Sequence, residues 1–466
     1  MFKSALKTGT CLAALVLGVS AAQAEVYGPF PVTVKGYEGD KTNSVSYSGQ
    51  IARHVLHDSL KSLAGKGDGG MNAADLETQM LAYFMGNNAE LPILAPADKD
   101  GIDVKQATMG DISASANLEG KFYNGAMSAW PGNMTGKEVI RHMIAQAAKS
   151  NGGFDPETGY NWPQLISKFT MGAVSYHQAV DNYLDEKMEA GNKPNGAPYK
   201  EGAYYTGKEH SWDEAFGYWG AAAHSLELSA GDNYTVAKLR DLGLADANGD
   251  GMVDLKSEMV FGPAYYAAGA DKGGASEYLP TMFNAFLEGR KLIAAAGGEN
   301  LSAEDLATLQ GHAAVIADTW EKVLAEAAFK YAGSVYKDIT AIQEAADDEA
   351  RAKAYANYGK HWGELKGFAM ALQTGKNNLG ETAVMLNELI GFGPVTLNNS
   401  YVTGIDAEGN FIMDRRMSWN DYQLNMLKTQ TLLADTFGLL AKANDQMADL
   451  GKLTEMLDAE TNAETD

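Results

Sequence analysis

Glu209-His210-Ser211-Trp212-Asp213-Glu214-Ala215-Phe216-Gly217-Tyr218-Trp219-Gly220 sets one histidine, three carboxylates and four aromatic rings in a single run. Its apolar residues recur at three- and four-residue spacing, the period of a helix rather than a strand. On that helix His210, Asp213 and Glu214 share a face, because positions i, i+3 and i+4 are neighbours. A histidine beside two carboxylates can hold a divalent metal. The same pattern suits an ordinary helix start, with acids near the positive end of the helix dipole and aromatics in a core. Both readings are open at this point.

Outward from this segment the chain reads as all-α. Stretches rich in Ala, Leu, Met, Glu and Lys predict helices over 49–64, 73–85, 136–149, 162–189, 208–229, 278–296, 303–331, 347–373, 381–390 and 419–447. Ser302 ahead of Glu304 and Asp305 is a good helix start. A short strand is expected over 26–34, and 401–405 and 410–414 flank Asp406-Ala407-Glu408-Gly409 as a minor β-hairpin.

An internal echo suggests two helical bundles related by pseudo-duplication. Trp212-Asp213-Glu214-Ala215-Phe216-Gly217-Tyr218 and Trp362-Gly363-Glu364-Leu365-Lys366-Gly367-Phe368 share Trp-x-Glu-x-x-Gly-aromatic, and each follows a histidine, His210 or His361. If the halves face one another, His361 and Glu364 complete a metal shell begun by His210, Asp213 and Glu214. A second His-x-x-Glu, His224-Ser225-Leu226-Glu227, falls on the same expected helix, about 21 Å from His210 at 1.5 Å per residue, and reads as structural. The division expected is a signal peptide at 1–24, an N-terminal bundle at 25–240, a calcium-type loop and linker at 241–275, a C-terminal bundle at 276–457 and a disordered acidic tail at 458–466.

The loop is the most specific short motif. Asp246, Asn248, Asp250 and Asp254 stand at relative positions one, three, five and nine, with Gly251 at six and the Met252 carbonyl at seven. Calcium wants six to eight oxygens, and the glycine permits the sharp turn. The usual glutamate at position twelve is Ser257 here, and Glu258 comes one residue late. An Asx- and Gly-rich surface turn is the plainer alternative.

Composition limits the chemistry. Lys3 and Lys7, an apolar run from Leu12 to Val19, and Ala22-Gln23-Ala24 read as a cleaved signal peptide, which places the protein in the periplasm or outside the cell. Cys11, the one cysteine, lies inside that leader without a lipobox. The mature chain then has no thiol, and disulfides, zinc–thiolate sites and cysteine nucleophiles fall together. The formal charge is −23, or −25 once Lys3 and Lys7 are removed. Such a surface repels nucleic acid and attracts cations. No integral membrane span is expected, since no later segment offers about 18 uninterrupted apolar residues. Metallopeptidase, serine-hydrolase and nucleotide-binding signatures are missing, so the sequence favours binding over catalysis.

Tyr47-Ser48-Gly49-Gln50, the Glu209–Tyr218 run, the calcium-type loop and His361-Trp362-Gly363-Glu364 together resemble an uncharacterised family of secreted bacterial helical proteins, described as a domain of unknown function. The chain is more distantly similar to imelysin-like proteins, which have two helical bundles, a Gly-x-His-x-x-Glu metal motif and a link to iron uptake. That resemblance implies a metal role for His210 and Asp213, although Lys208 stands in place of the glycine and Asp213 in place of the glutamate. The function expected is therefore periplasmic metal binding in uptake, with structural calcium and with iron or another divalent metal as cargo. The alternatives are a binding or docking protein for a polysaccharide or metal chelate, working with an outer-membrane receptor, and a metallohydrolase.

Overall fold

Capping oxygens set most helix starts. The computed structural model describes residues 25–97, 103–238, 241–377, 379–413 and 415–463, so the leader and the last three residues of the expected tail lie outside the described residues. The first helices are α1 (Ser48–Ala64), α2 (Ala73–Met85), α3 (Gly136–Lys149) and α4 (Trp162–Thr170). Then come α5 (Gly207–Trp219), α6 (Ala230–Ala237), α7 (Gly262–Asp271), α8 (Tyr278–Ala295) and α9 (Ala303–Gln343). The last are α10 (Asp348–Leu372), α11 (Glu381–Ile390), α12 (Trp419–Phe437) and α13 (Leu450–Ala463). Thr135, Asn161, Thr206, Ser229, Ser302, Asp347 and Ser418 each accept a first-turn amide, which satisfies donors that the helix itself leaves free.

Ends and interruptions depart from expectation. The helix expected over 208–229 stops at Trp219, where Gly220 adopts φ +76°, so His224 is not on the helix of His210 and the 21 Å estimate does not apply. The one expected over 419–447 stops at Phe437 before Gly438 at φ +60°. Left-handed glycine caps of this kind end helices without a Cβ penalty. Conversely, α9 runs to Gln343, about 60 Å in all. Beyond Thr170, α4 continues as π-helix through Met171–Tyr176 and Gln178–Tyr183. Helices α6, α7 and α13 were not expected, and α13 carries helix into the segment read as a tail.

The β content is small. β1 (Asp103–Val104) pairs in parallel with β2 (Met252–Val253), and β3 (Ser400–Tyr401) pairs with β6 (Arg415–Arg416). β4 (Gly404–Ile405) and β5 (Phe411–Ile412) form the expected antiparallel hairpin. The strand expected at 26–34 reduces to one bridge, Pro31 to Asn43.

Buried apolar side chains from Tyr27 to Leu439 form one contiguous cluster, which crosses the 241–275 segment without a break. Two helices lie deepest. α5 is buried from Gly207 to Trp219 apart from His210, and α10 from Trp362 to Leu372. A seam of small residues along α10 brings it onto α4. A Cβ on Gly363 would meet Asn161 O at 3.0 Å, one on Gly367 would meet Lys168 Cβ at 2.5 Å, and one on Gly172 would meet Ala371 Cβ at 2.3 Å. The absence of side chains there lets the helices approach along their length, and it sets the depth of Lys168 against Glu364.

Candidate functional site

The opening run does not present its acids together. Glu209 completes the α5 capping box, its Oε2 accepting Thr206 N at 2.8 Å. Its Oε1 accepts Thr33 Oγ1 at 3.0 Å and Arg290 Nη1 at 3.2 Å. Asp213 Oδ1 accepts the Tyr27 hydroxyl at 2.8 Å and Arg290 Nε at 2.9 Å, while Oδ2 accepts Ser46 N at 3.1 Å. Arg290, on α8, is fully buried and also donates through Nη2 to Ser44 Oγ at 2.6 Å. Burial pushes the Asp213 carboxyl up, against the pull of Arg290, Tyr27 and Ser46. Asp213 is thus engaged by Arg290, Tyr27 and Ser46 on both oxygens, as part of a buried structural cluster.

His210 turns the other way. Its ring stacks on Tyr205 (centroids 4.3 Å, 15° between planes) and meets Tyr199 edge-on, also at 4.3 Å. Glu214 Oε1 lies 3.7 Å from His210 Nε2 and accepts Gln50 Nε2 at 2.8 Å and the Tyr183 hydroxyl at 3.1 Å. Glu214 Oε2 is buried and meets no hydrogen-bond partner among the described residues. Burial lowers the His210 pKa despite Glu214 and Asp213, which favours the neutral ring.

The counterpart on α10 has separate partners. His361 Nδ1 lies 2.6 Å from Asp338 Oδ2 of α9, and Glu364 Oε1 lies 3.7 Å from Lys168 Nζ. His210 and His361 share none of these partners. Among the described residues, no three His, Asp or Glu side chains gather as a metal-ligand set. The echo is one of packing: Trp212 Nε1 donates to Phe286 O and Trp362 Nε1 to the Tyr422 hydroxyl, both at 2.7 Å. Gly217 lets Tyr47 and Gln50 of α1 approach as Gly367 lets Lys168 approach. The five residues His210, Asp213, Glu214, His361 and Glu364 therefore do not form one shell.

The calcium-type loop is folded around its own side chains. Asp246 accepts the amides of Gly249, Asp250 and Gly251 at 2.8, 3.1 and 2.8 Å, and Asn248 Oδ1 accepts that of Asp250 at 2.9 Å. Asp250 Oδ1 accepts Met252 N at 3.0 Å, and Asp254 Oδ1 accepts Gln106 Nε2 at 2.7 Å. Glu258, one residue late, still reaches the loop: Oε1 accepts Asn248 Nδ2 at 2.9 Å and Oε2 accepts Asp254 N at 2.8 Å. Lys105 Nζ lies 3.7 Å from Asp250 Oδ2 and 4.0 Å from Asp254 Oδ2, an ammonium beside the oxygens a cation would seek.

A cavity lined by charged side chains lies elsewhere. Of about 210 Å³, it opens between α1, α4, the C-terminal end of α6, α7, α9 and α10. α1 contributes His57, Asp58 and Lys61, and α4 contributes Ser167 and Lys168. Lys238, Tyr265 and Tyr266 form one wall, and Tyr331, Lys360 and Glu364 another. Lys168 is only 4% exposed, and the 3.7 Å to Glu364 exceeds the ~2.7–2.9 Å of a charge-assisted hydrogen bond. Its ammonium also sits over the Tyr266 ring at 5.4 Å. Burial pushes the Lys168 pKa well below the usual lysine range, Lys61 adds repulsion, and Glu364 opposes both. The Asp58 carboxyl is pushed up to about 6 by burial, against the pull of Lys61, Lys168 and Lys238.

Sequence reasoning found Glu364 but gave it the wrong neighbours, and it passed over Arg290 and the cavity lysines. A signal existed: His57/Lys61, Gln164/Lys168 and Lys360/Glu364 are polar pairs at i, i+4 on helices whose other faces are apolar. A model of a domain of unknown function (DUF4856) matches residues 104–252, from β1 through α5 to the middle of the calcium-type loop. No curated protein and no solved structure matches the chain.

Proposed function

We propose that this chain is a small-molecule-binding protein and that its site is the cavity between α1, α4, α7, α9 and α10. The observation that carries the reading is the cavity's composition: charged and hydroxyl-bearing side chains from helices of both halves surround about 210 Å³ of space. Burying an ammonium such as that of Lys168 costs several kcal/mol, and its acid Glu364 stands 3.7 Å away, so a polar occupant would complete its surroundings. The volume is below the ~300–1,000 Å³ of drug-sized sites, so the occupant is of metabolite size. Combined with the leader read at 1–24, this supports a periplasmic or secreted binding protein, nearer to the alternative of a ligand-binding protein of an uptake system than to the metal-binding role expected first.

The test is a thermal-shift screen of a metabolite library against the wild-type chain and Ala237→Trp, which puts an indole at the cavity wall. Ligands that stabilise the wild type by several degrees should fail on the variant. Identical hit lists for both proteins would place the site elsewhere.

Two metal readings stand differently. Delivery of iron or another divalent metal keeps only the His210–Glu214 pair, with Asp213 engaged by Arg290 and His361 by Asp338. Calcium at the loop rests on the sequence spacing of Asp246, Asn248, Asp250, Met252 and Asp254 and on Glu258 reaching back to Asn248 and Asp254, although among the described residues the loop carboxylates do not gather as a ligand set.

A further inference from the structure

We propose that the cavity takes a small hydroxylated polyanion, a molecule bearing two or more carboxylate or phosphate charges together with hydroxyl groups. The inference rests on the binding reading above and adds the charge and functional groups of the ligand.

Charge comes first. In a chain of net charge −23, Lys61, Lys168, Lys238 and Lys360 line one cavity against two acids, Asp58 and Glu364. The excess is positive where the rest of the molecule is strongly negative. The four lysines also differ in depth: Lys238 and Lys360 are exposed at the mouth, Lys61 is half-buried, and Lys168 is buried at the floor. Exposed cations at an opening steer an anion inward, and a desolvated one at the floor binds it strongly because the local dielectric is low. Glu364, the acid within ion-pair range of Lys168 among the described residues, stands at 3.7 Å, so the ammonium has hydrogen-bonding capacity left for incoming oxygens. Its pKa direction agrees, since burial and Lys61 both disfavour the proton and an added anion would restore it.

The hydroxyl requirement follows from the acids. Asp58 and Glu364 sit among the lysines and, when ionised, can only accept hydrogen bonds. A bare polyanion would meet them with repulsion. A ligand that turns hydroxyl donors toward Asp58 and Glu364 and anionic oxygens toward Lys61 and Lys168 satisfies both kinds of group.

The shared chemistry could come from a hydroxycarboxylate or a sugar phosphate, and the probes separate them. Isothermal titration at low ionic strength uses citrate, glucose 6-phosphate and glucose against the full chain, Lys168→Met and Lys360→Gln. At least one of the two polyanions is expected to bind with Kd below about 1 mM, roughly tenfold weaker in Lys168→Met. A smaller loss is expected in Lys360→Gln, an exposed position that tests the charge should the buried variant misfold. Glucose should not bind. Failure of both polyanions, or affinity indifferent to both substitutions, overturns the proposal. If glucose binds as well as citrate, the cavity reading survives and the polyanion falls. If no probe binds and Ala237→Trp changes no library hit, both fall.

Discussion

Arg290 shows how much of the buried chemistry rests on a single residue. Its guanidinium holds Glu209 and Asp213 in a region where all three side chains are inaccessible to solvent. Removing one partner of a buried ion cluster leaves uncompensated charge, at a cost of roughly 3–5 kcal/mol. Arg290→Met should therefore lower the unfolding free energy from urea titration by that amount, as a lower midpoint at an unchanged slope. A loss under about 1 kcal/mol would mean that the acids are solvated and not locked. The acids themselves were legible as a cluster on one helix. Their cation was not, because it lies 77 and 81 residues away on α8, and no local pattern announces a partner at that separation. Short spacing suggested a metal, and tertiary packing supplied an arginine.

At the scale of elements, starts were easier to read than ends. Ser302 and the first-turn acids of α9 marked its beginning correctly, because capping chemistry is local. The ends at Gly220 and Gly438 were missed, since a glycine inside an apolar pattern ends a helix only where the backbone can take positive φ. The α4–α10 seam was equally hidden: its glycines read as weak helix formers, whereas the structure uses them as contact surface. Two glycine-to-alanine changes separate these roles. Gly311 of α9 has nothing within 4 Å of an added Cβ, so Gly311→Ala should stabilise by roughly 0.5–1 kcal/mol through helix propensity. Gly367→Ala drives a methyl against Lys168 Cβ and should destabilise by about 1–3 kcal/mol. Thermal unfolding of both variants gives the signs, and matching signs would remove the seam argument.

For the molecule as a whole, fold class was legible because helical periodicity persists through most of the chain. The division into bundles was less so, since the core runs unbroken from Tyr27 to Leu439. The calcium-type loop is tied to the N-terminal side of the chain: β2 pairs with β1, and Gln106 binds both Asp254 and the Leu255 amide. Calcium there should act on global stability, by about 2.7 kcal/mol at a hundredfold excess over Kd. Calorimetry should show a higher Tm in millimolar calcium than in chelator, and Asp246→Ala should erase the difference. An identical Tm in both buffers would leave the loop as a plain turn. The two-sided cavity and the Arg290 cluster also bear on how the chain is made. When residues up to 240 have been delivered from the N-terminus, Glu209 and Asp213 have no cation and Lys168 has no glutamate. Vectorial folding must therefore wait for α8 and α10, so the fold closes late and over long sequence separations, which slows folding and lengthens exposure of the unfinished half.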